Sequence, residues 1–119
     1  MLEQGGGRIV NMASATSRNT YPNASPYVTS KFAVAGLTRT VAVEYADRDI
    51  RINAICPGNV ATPLVVSLVE DLSVLATKHA IKRLGTPEEV ANGVMFLASD
   101  LSSFSTGSLL EVDGGWNAI

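Results

Sequence analysis

The sequence predicts an α/β fold in which helices flank a small parallel sheet. Two observations carry this prediction. Apolar, β-branched runs lie at residues 8–13 and 51–56, and a helical pattern spans residues 26–46 between them. A strand, a helix and a second strand of these lengths form a right-handed crossover that joins parallel strands. The chain, residues 1–119, is therefore expected to lie within a single α/β domain.

The first strand and the helix after it have clear boundary signals. Three glycines precede residues 8–13, and Ser14 follows them directly. We expect Ser25 and Pro26 to be the N-cap and the first-turn residue of the helix. A serine hydroxyl can accept a hydrogen bond from a free backbone N–H at this position, and proline lacks the N–H that would be left unpaired.

The downstream part of the chain supplies the remaining elements. Pro57 and Gly58 end the second strand. Patterns at residues 64–80 and 87–99 predict two more helices, and the apolar run at 108–113 predicts a third strand. With only about three strands, the strand at 8–13 is expected to leave one of its edges unpaired.

Two short segments in this part have a structural interpretation. Thr86, Pro87 and Glu89 match the N-cap, the first-turn proline and the capping-box glutamate of a helix. The DGG sequence at residues 113–115 is typical of a turn after a strand.

Three residues have the chemistry of a hydride-transfer site. Tyr27 and Lys31 lie one helical turn apart, so a helix places them on one face, and Ser14 precedes them. A nearby ammonium favours the phenolate form of a tyrosine, which can exchange a proton with a carbinol oxygen. A serine hydroxyl can hydrogen-bond the same oxygen. The Y-x-x-x-K spacing also arises by chance, and taken alone it is a weak motif.

The predicted topology favours the catalytic interpretation. In a parallel crossover unit, the carboxyl ends of the strands and the N-terminus of the helix meet at one edge of the sheet, where open α/β sheets bind ligands. The residues expected to converge there are Ser14, Tyr27, Lys31, Pro57 and Gly58.

Several short motifs occur in a fixed order along the chain. They are GRIVNMAS at 7–14, YVTSK at 27–31, IRINAICPG at 50–58, RLG at 83–85, PEEVA at 87–91, FLAS at 96–99 and VDGG at 112–115. This ordered set resembles the C-terminal half of a short-chain dehydrogenase/reductase and covers essentially the whole chain. The resemblance implies a partial Rossmann-like, doubly wound parallel sheet from which the N-terminal nucleotide-binding half is absent.

The resemblance also implies roles for individual residues. Tyr27 is the expected catalytic acid/base, and Ser14 is expected to position the substrate oxygen. Lys31 is expected to favour the Tyr27 phenolate and to bind the nicotinamide ribose. The residues expected to line the cofactor are Tyr27, Lys31, Pro57, Gly58, Val60 and Thr62. The implied reaction is the NAD(P)-dependent interconversion of a secondary alcohol and a ketone, and the sequence does not distinguish NAD from NADP.

The family's nucleotide-binding motifs are absent from this sequence. They are the glycine-rich T-G-x-x-x-G-x-G turn, the residue that selects between NAD and NADP, and the N-N-A-G segment. Asn11 lies on the first strand and is not the family's active-site asparagine. We therefore expect the isolated chain to be inactive. Two alternatives stay open: a catalytically silent fragment, and an interaction or oligomerisation module that docks through the open strand edge and the tail at 116–119.

Composition excludes several classes of function. The net charge is −2, and acidic and basic residues are interspersed, so there is no basic patch for nucleic acid. No apolar run reaches membrane-spanning length, and residues 1–7 lack the pattern of a signal peptide, so we expect a cytoplasmic protein. The resemblance implies a small-molecule substrate and, in a full-length form, a homodimer or homotetramer.

The single cysteine and the single histidine are assigned no chemistry. Cys56 lies at a strand end, and a small core residue is favoured over a reactive thiol. His79 has no partner at metal-ligand spacing, so no metal site is predicted and the residue is assigned to the surface or to a loop. In relatives, the region at residues 60–84 forms the lid over the substrate, whose identity the sequence does not predict.

Overall fold

The computed structural model describes residues 1–119 and contains a three-stranded parallel sheet. The strands are β1 (Gly7–Met12), β2 (Ile50–Pro57) and β3 (Leu109–Val112), and they lie in the order β1-β2-β3. Both pairs are parallel. The predicted fold class, the number of strands and their positions to within one or two residues are therefore confirmed.

Four α-helices connect the strands: α1 (Ser25–Tyr45), α2 (Pro63–Leu68), α3 (Leu72–Ala76) and α4 (Pro87–Ala98). The prediction of one helix over 64–80 is wrong, because two short helices occupy its first part and turns its last part. The Asp71 side chain explains the break. It accepts a hydrogen bond of 2.9 Å from the backbone N–H of Ser73, which begins a new helix and competes with continuation of the old one.

The two predicted helix starts had different outcomes. Ser25 is not an N-cap; it is the first residue of α1, and Ala24 stands at the cap with no side-chain hydrogen bond. Pro26 lies in the first turn, where its missing N–H leaves no donor unpaired. The predicted capping box of α4 is confirmed, with reciprocal hydrogen bonds between Thr86 and Glu89.

The core lies around β2. One cluster of buried residues joins Ala13, Ala54 and Cys56, and a second joins Ala42 of α1 to Ile50 and Ile52. The buried residues of α1 are small, namely Ala35, Thr38 and Ala42. Cys56 is 1% exposed, and burial raises the pKa of its thiol, so its assignment to the core is confirmed.

The sheet is covered unequally. Only 21 of the 119 residues are buried, and β1 pairs with β2 alone, so its outer edge is open as predicted. No helix in the structure combines the length and apolar character needed to cross a membrane.

Candidate functional site

Ser14 begins a short turn that directly follows β1. Its hydroxyl oxygen accepts hydrogen bonds from the backbone N–H and the hydroxyl of Thr16, at 3.2 and 3.0 Å. Ser17 accepts from the Ser14 N–H and donates to the Lys31 carbonyl, which ties the turn to α1. Because the Ser14 oxygen only accepts in this arrangement, its own proton is available to a ligand.

Tyr27 and Lys31 lie in the first two turns of α1. The Lys31 ammonium is 5.6 Å from the centre of the Tyr27 ring and donates a hydrogen bond of 3.0 Å to the carbonyl of Met12, at the end of β1. The predicted placement on one helix face is therefore observed. Tyr27 is 45% exposed, so its phenol can reach a bound molecule.

A cleft of about 330 Å³ lies at the carboxyl edge of the sheet. Five of the seven predicted site residues line it: Ser14, Tyr27, Gly58, Val60 and Thr62. The other two do not line it. Lys31 contacts the Tyr27 ring and the end of β1, and Pro57 is the last residue of β2.

Val60 and Thr62 are held by the loop that leads into α2. Val60 forms a bridge with Gly85, and the N–H of Ala61 donates to the Gly85 carbonyl at 2.9 Å. The Thr62 hydroxyl oxygen accepts from the Val65 N–H at 3.3 Å and so caps α2, while its proton stays available. These contacts fix the loop beside the cleft.

Gly58 is required by close packing behind the cleft. A Cβ atom at this position would lie 2.5 Å from the His79 ring and 3.0 Å from the Cα of Asp113. Its own backbone φ lies outside the left-handed region, so space alone excludes a side chain. This contact gives a packing reason for glycine at position 58.

His79 is buried. Its predicted position at the surface is therefore wrong, whereas its predicted position in a loop is confirmed. It is 1% exposed and lies in a turn after α3, with Nδ1 2.5 Å from the carbonyl oxygen of Asp113 and Nε2 3.3 Å from the backbone nitrogen of Asn59. The carbonyl can only accept, so Nδ1 carries the proton and Nε2 accepts. The partners are distant in sequence, which is why local spacing did not reveal them.

The C-terminal residues form part of the site, which sequence analysis missed. The Asp113 carboxylate accepts from the N–H groups of Gly115 and Asn117, both at 2.9 Å. The Asn117 amide donates to the Ala15 carbonyl at 3.0 Å, so the tail supports the turn that carries Ser14. Trp116 packs edge-on against the His79 ring, with 5.7 Å between ring centres.

Arg51 and Asn53 belong to the IRINAICPG motif and have structural partners. The Arg51 guanidinium donates to three backbone carbonyls between residues 97 and 105. Asn53 donates to the Ser105 carbonyl and accepts from the Ser108 N–H. These contacts hold the connection between α4 and β3 and leave both side chains away from the cleft. The motif could have suggested such a role, since two polar residues interrupt a buried strand.

Comparison with known proteins identifies the family to which this chain belongs. A family model described as enoyl-(acyl carrier protein) reductase matches residues 1–117. The chain is 46% identical over its whole length to cis-4-hydroxycyclohexanecarboxylate dehydrogenase of Sinomonas cyclohexanicum and covers 48% of that protein. It is 48% identical to cyclohexanol dehydrogenase of Acinetobacter sp. (strain SE19), over 99% of this chain and 46% of the relative.

Solved structures agree with this result. A gluconate 5-dehydrogenase from Burkholderia cenocepacia J2315, in complex with NADP and tartrate, superposes with a TM-score of 0.93 at 33% identity, over 99% of this chain and 48% of that one. The chain thus spans about half the length of the relatives it matches. The ordered motifs, the parallel sheet and the matches over nearly all of the residues agree: this chain belongs to the short-chain dehydrogenase/reductase family.

Proposed function

We propose that the chain carries the catalytic side of an NAD(P)-dependent oxidoreductase that interconverts a secondary alcohol and a ketone. The observation that carries the proposal is the joint lining of one cleft by Ser14 and Tyr27, with the Lys31 ammonium 5.6 Å from the Tyr27 ring. A phenol, a free hydroxyl proton and a cation in this arrangement are suited to proton exchange with a carbinol oxygen.

In the proposed step, the hydroxyl hydrogen of the substrate leaves as a proton and the hydrogen on the reacting carbon leaves as hydride. In oxidation, Tyr27 removes the proton from the alcohol oxygen while the carbon–hydrogen bond breaks and its electron pair leaves as hydride. The nicotinamide cofactor, when bound, supplies the acceptor for that hydride. Ser14 donates a hydrogen bond to the same substrate oxygen and holds it near the phenol. Lys31 stabilises negative charge on the phenol oxygen, and the reverse sequence reduces a ketone.

The residues around the cleft fit the nicotinamide end of the cofactor. Thr62 offers a hydroxyl donor, and the backbone of Gly58 and Val60 can approach a ligand closely. Pro57 directly precedes Gly58, and the Lys31 ammonium lies at the end of β1, where it would donate to the ribose hydroxyls of a bound cofactor. Nothing in this set selects between NAD and NADP.

The relatives direct the choice of substrate. Two of them are named as dehydrogenases of cyclic alcohols. Here the cleft has apolar side chains from α2, namely Leu64, Val65 and Leu68. We therefore propose a small alicyclic alcohol or ketone as the substrate class.

The decisive experiment is an assay of hydride transfer with cyclohexanol and each dinucleotide, followed as absorbance of the reduced nicotinamide. In any preparation that shows activity, Tyr27→Phe should lower kcat by roughly a hundredfold or more, because the proton acceptor is removed. Tyr45→Phe is the matched control, since Tyr45 lies at the far end of α1 and should retain full activity. Equal activity in the Tyr27→Phe variant would contradict the catalytic assignment.

A second candidate is an interaction module, and α1 favours it. This helix exposes large apolar side chains, among them Phe32, Leu37 and Val43, at 45%, 59% and 81% exposure. We propose a second copy of the chain as the partner, which would give the homo-oligomer that the sequence analysis expects. Light scattering with the Val43→Glu variant tests this: the native chain should be a dimer or tetramer and the variant smaller. A silent fragment would instead show no binding of reduced dinucleotide by fluorescence.

A further inference from the structure

A cation lies beside the substrate cleft, between two aromatic rings. The Lys78 ammonium is 5.0 Å from the centre of the Tyr21 ring and 5.4 Å from that of Trp116. Both rings line the same cleft as Ser14 and Tyr27. Contacts of this length are attractive cation–π interactions, and two of them restrict where the ammonium can lie.

This ammonium has no carboxylate partner in the chain. All five ion pairs are formed by arginines. The acidic side chains on β3 and the turn after it are already engaged: Glu111 pairs with Arg18 at 3.1 Å, and Asp113 accepts from two backbone N–H groups. Lys78 is therefore a half-buried cation that contacts two aromatic rings and has no carboxylate partner.

The cleft itself has no charged residue in its lining. Its walls combine hydroxyls and apolar side chains, and the two rings add a phenol and an indole N–H. Lys78 does not line the cleft either, but its ammonium lies against two rings that do, Tyr21 and Trp116. A molecule at that end of the cleft would therefore lie close to one positive charge.

We propose that Lys78, Tyr21 and Trp116 form a carboxylate-binding end of this cleft, and that the substrate is a hydroxy or oxo acid. The carboxylate would accept hydrogen bonds from the ammonium and from the indole or phenol. An alicyclic or aliphatic portion would separate it from the carbon that reacts beside Tyr27. The assignment of the reaction rests on the proposed function, whereas the anion site rests on the position of the Lys78 ammonium against the two cleft-lining rings.

The test uses binding to the 119-residue chain, because this readout needs no catalysis. Trp116 is the only tryptophan, so its fluorescence reports on the site. Cyclohexanecarboxylate and cyclohexanemethanol are similar in size and differ in charge. We expect the acid to bind roughly tenfold more tightly, as a charge-assisted hydrogen bond allows. The preference should weaken as salt is raised. Calorimetry measures the same affinities without relying on the fluorophore.

Three variants make the result specific. Lys78→Gln should reduce the affinity for the acid to that for the alcohol, and Lys78→Arg should keep the preference. Lys82→Gln is the control. The Lys82 ammonium lies four residues further along the chain and donates to the Thr77 carbonyl, so this variant should bind as the native chain does. Circular dichroism checks that each variant is folded.

The outcomes separate this proposal from its alternatives. Equal affinity for acid and alcohol, or a preference that survives Lys78→Gln, would overturn it. Inorganic phosphate that competes as well as the acid would assign the cation to the cofactor's phosphates and would also overturn it. If the acid binds through Lys78 but Tyr27→Phe leaves hydride transfer unchanged, the proposed reaction fails while the carboxylate site stands.

Discussion

Strands β1 and β2 have similar sequences and different surroundings. Each carries an arginine near its start, and the two are register partners, Arg8 opposite Arg51. Yet β2 is buried along nearly its whole length, while β1 is half-buried and its last residue, Met12, is 53% exposed. The difference comes from the neighbours, since β2 has a strand on each edge and β1 has only one. Burial is thus set by position in the sheet and not by apolar content.

The same type of polar residue therefore has different partners in the two strands. Arg51 donates to the carbonyls of Leu97, Ser99 and Ser105 in the interior, and burial lowers the pKa of its guanidinium. Arg8 instead reaches the exposed carboxylates of Asp49 and Asp100, at 3.9 and 3.5 Å. The buried contacts should be strong and specific, and the exposed ones weak.

The largest effect is expected from Arg51→Met. The substitution leaves three backbone carbonyls without their donor in the interior, which should cost about 3 kcal/mol of unfolding free energy. Arg8→Met is the matched control on the neighbouring strand and should cost less than about 1 kcal/mol. Urea denaturation of both variants measures the difference. Equal losses of unfolding free energy would contradict the expectation that the buried contacts of β2 stabilise the fold more than the exposed contacts of β1.

A smaller effect is expected from the asparagines. Asn53→Ala removes an acceptor for the Ser108 N–H and a donor to the Ser105 carbonyl, so we expect a loss of about 2 kcal/mol. Asn11→Ala removes one partly buried contact, to the Thr38 hydroxyl, and should cost about half as much. The midpoints of thermal unfolding provide the comparison, and a larger shift for Asn11→Ala would reverse the proposed order.

The rates of hydrogen exchange should distinguish the amides on the two edges of β1. The N–H of Ala13 donates to Ile55 of β2 and that of Gly7 to Asp49, directly before β2, so the alternate amides, those of Arg8, Val10 and Met12, face the open edge. We expect these three to exchange roughly a hundredfold faster than the amides of β2, measured by NMR. Slow exchange at all three would mean that another strand covers this edge in solution.

The smallest effect is expected from an exposed ion pair outside the sheet. Arg83 contacts both carboxylate oxygens of Glu89, at 2.9 and 2.7 Å, and this hydrogen bonding lowers the pKa of Glu89 from 4.5 to about 2. A lowered pKa in the folded state gives stability above pH 4.5 that is lost as the pH falls towards 2. Urea midpoints should therefore differ between the native chain and Glu89→Gln at neutral pH and converge in acid.

Glu88→Gln provides the control for this titration. Glu88 lies beside Glu89 in the first turn of α4 but forms no ion pair. Its substitution should change the midpoint less at every pH. A difference for Glu89→Gln that grows in acid would contradict the assigned pKa direction.

Local signals explain which parts of this molecule could be predicted. Strand lengths, the long helix and the capping box of α4 follow from periodicity and adjacent residues, and the site motif follows from a spacing of one helical turn. The break between α2 and α3 depended on one side chain, Asp71, capping a new helix. The burial of His79 and the role of Asn117 depended on partners 34 and 102 residues away, which no local pattern encodes.

The hydrogen bond from Asn117 to the Ala15 carbonyl also has a consequence for synthesis. It joins positions 102 residues apart, at the two ends of the described chain. During translation, β1 and the serine turn leave the ribosome long before residue 117 does. The serine turn can therefore gain its last support only after residue 117 has been released. A nascent chain from which residue 117 has not yet emerged would therefore display Ser14 in a turn that lacks this hydrogen bond.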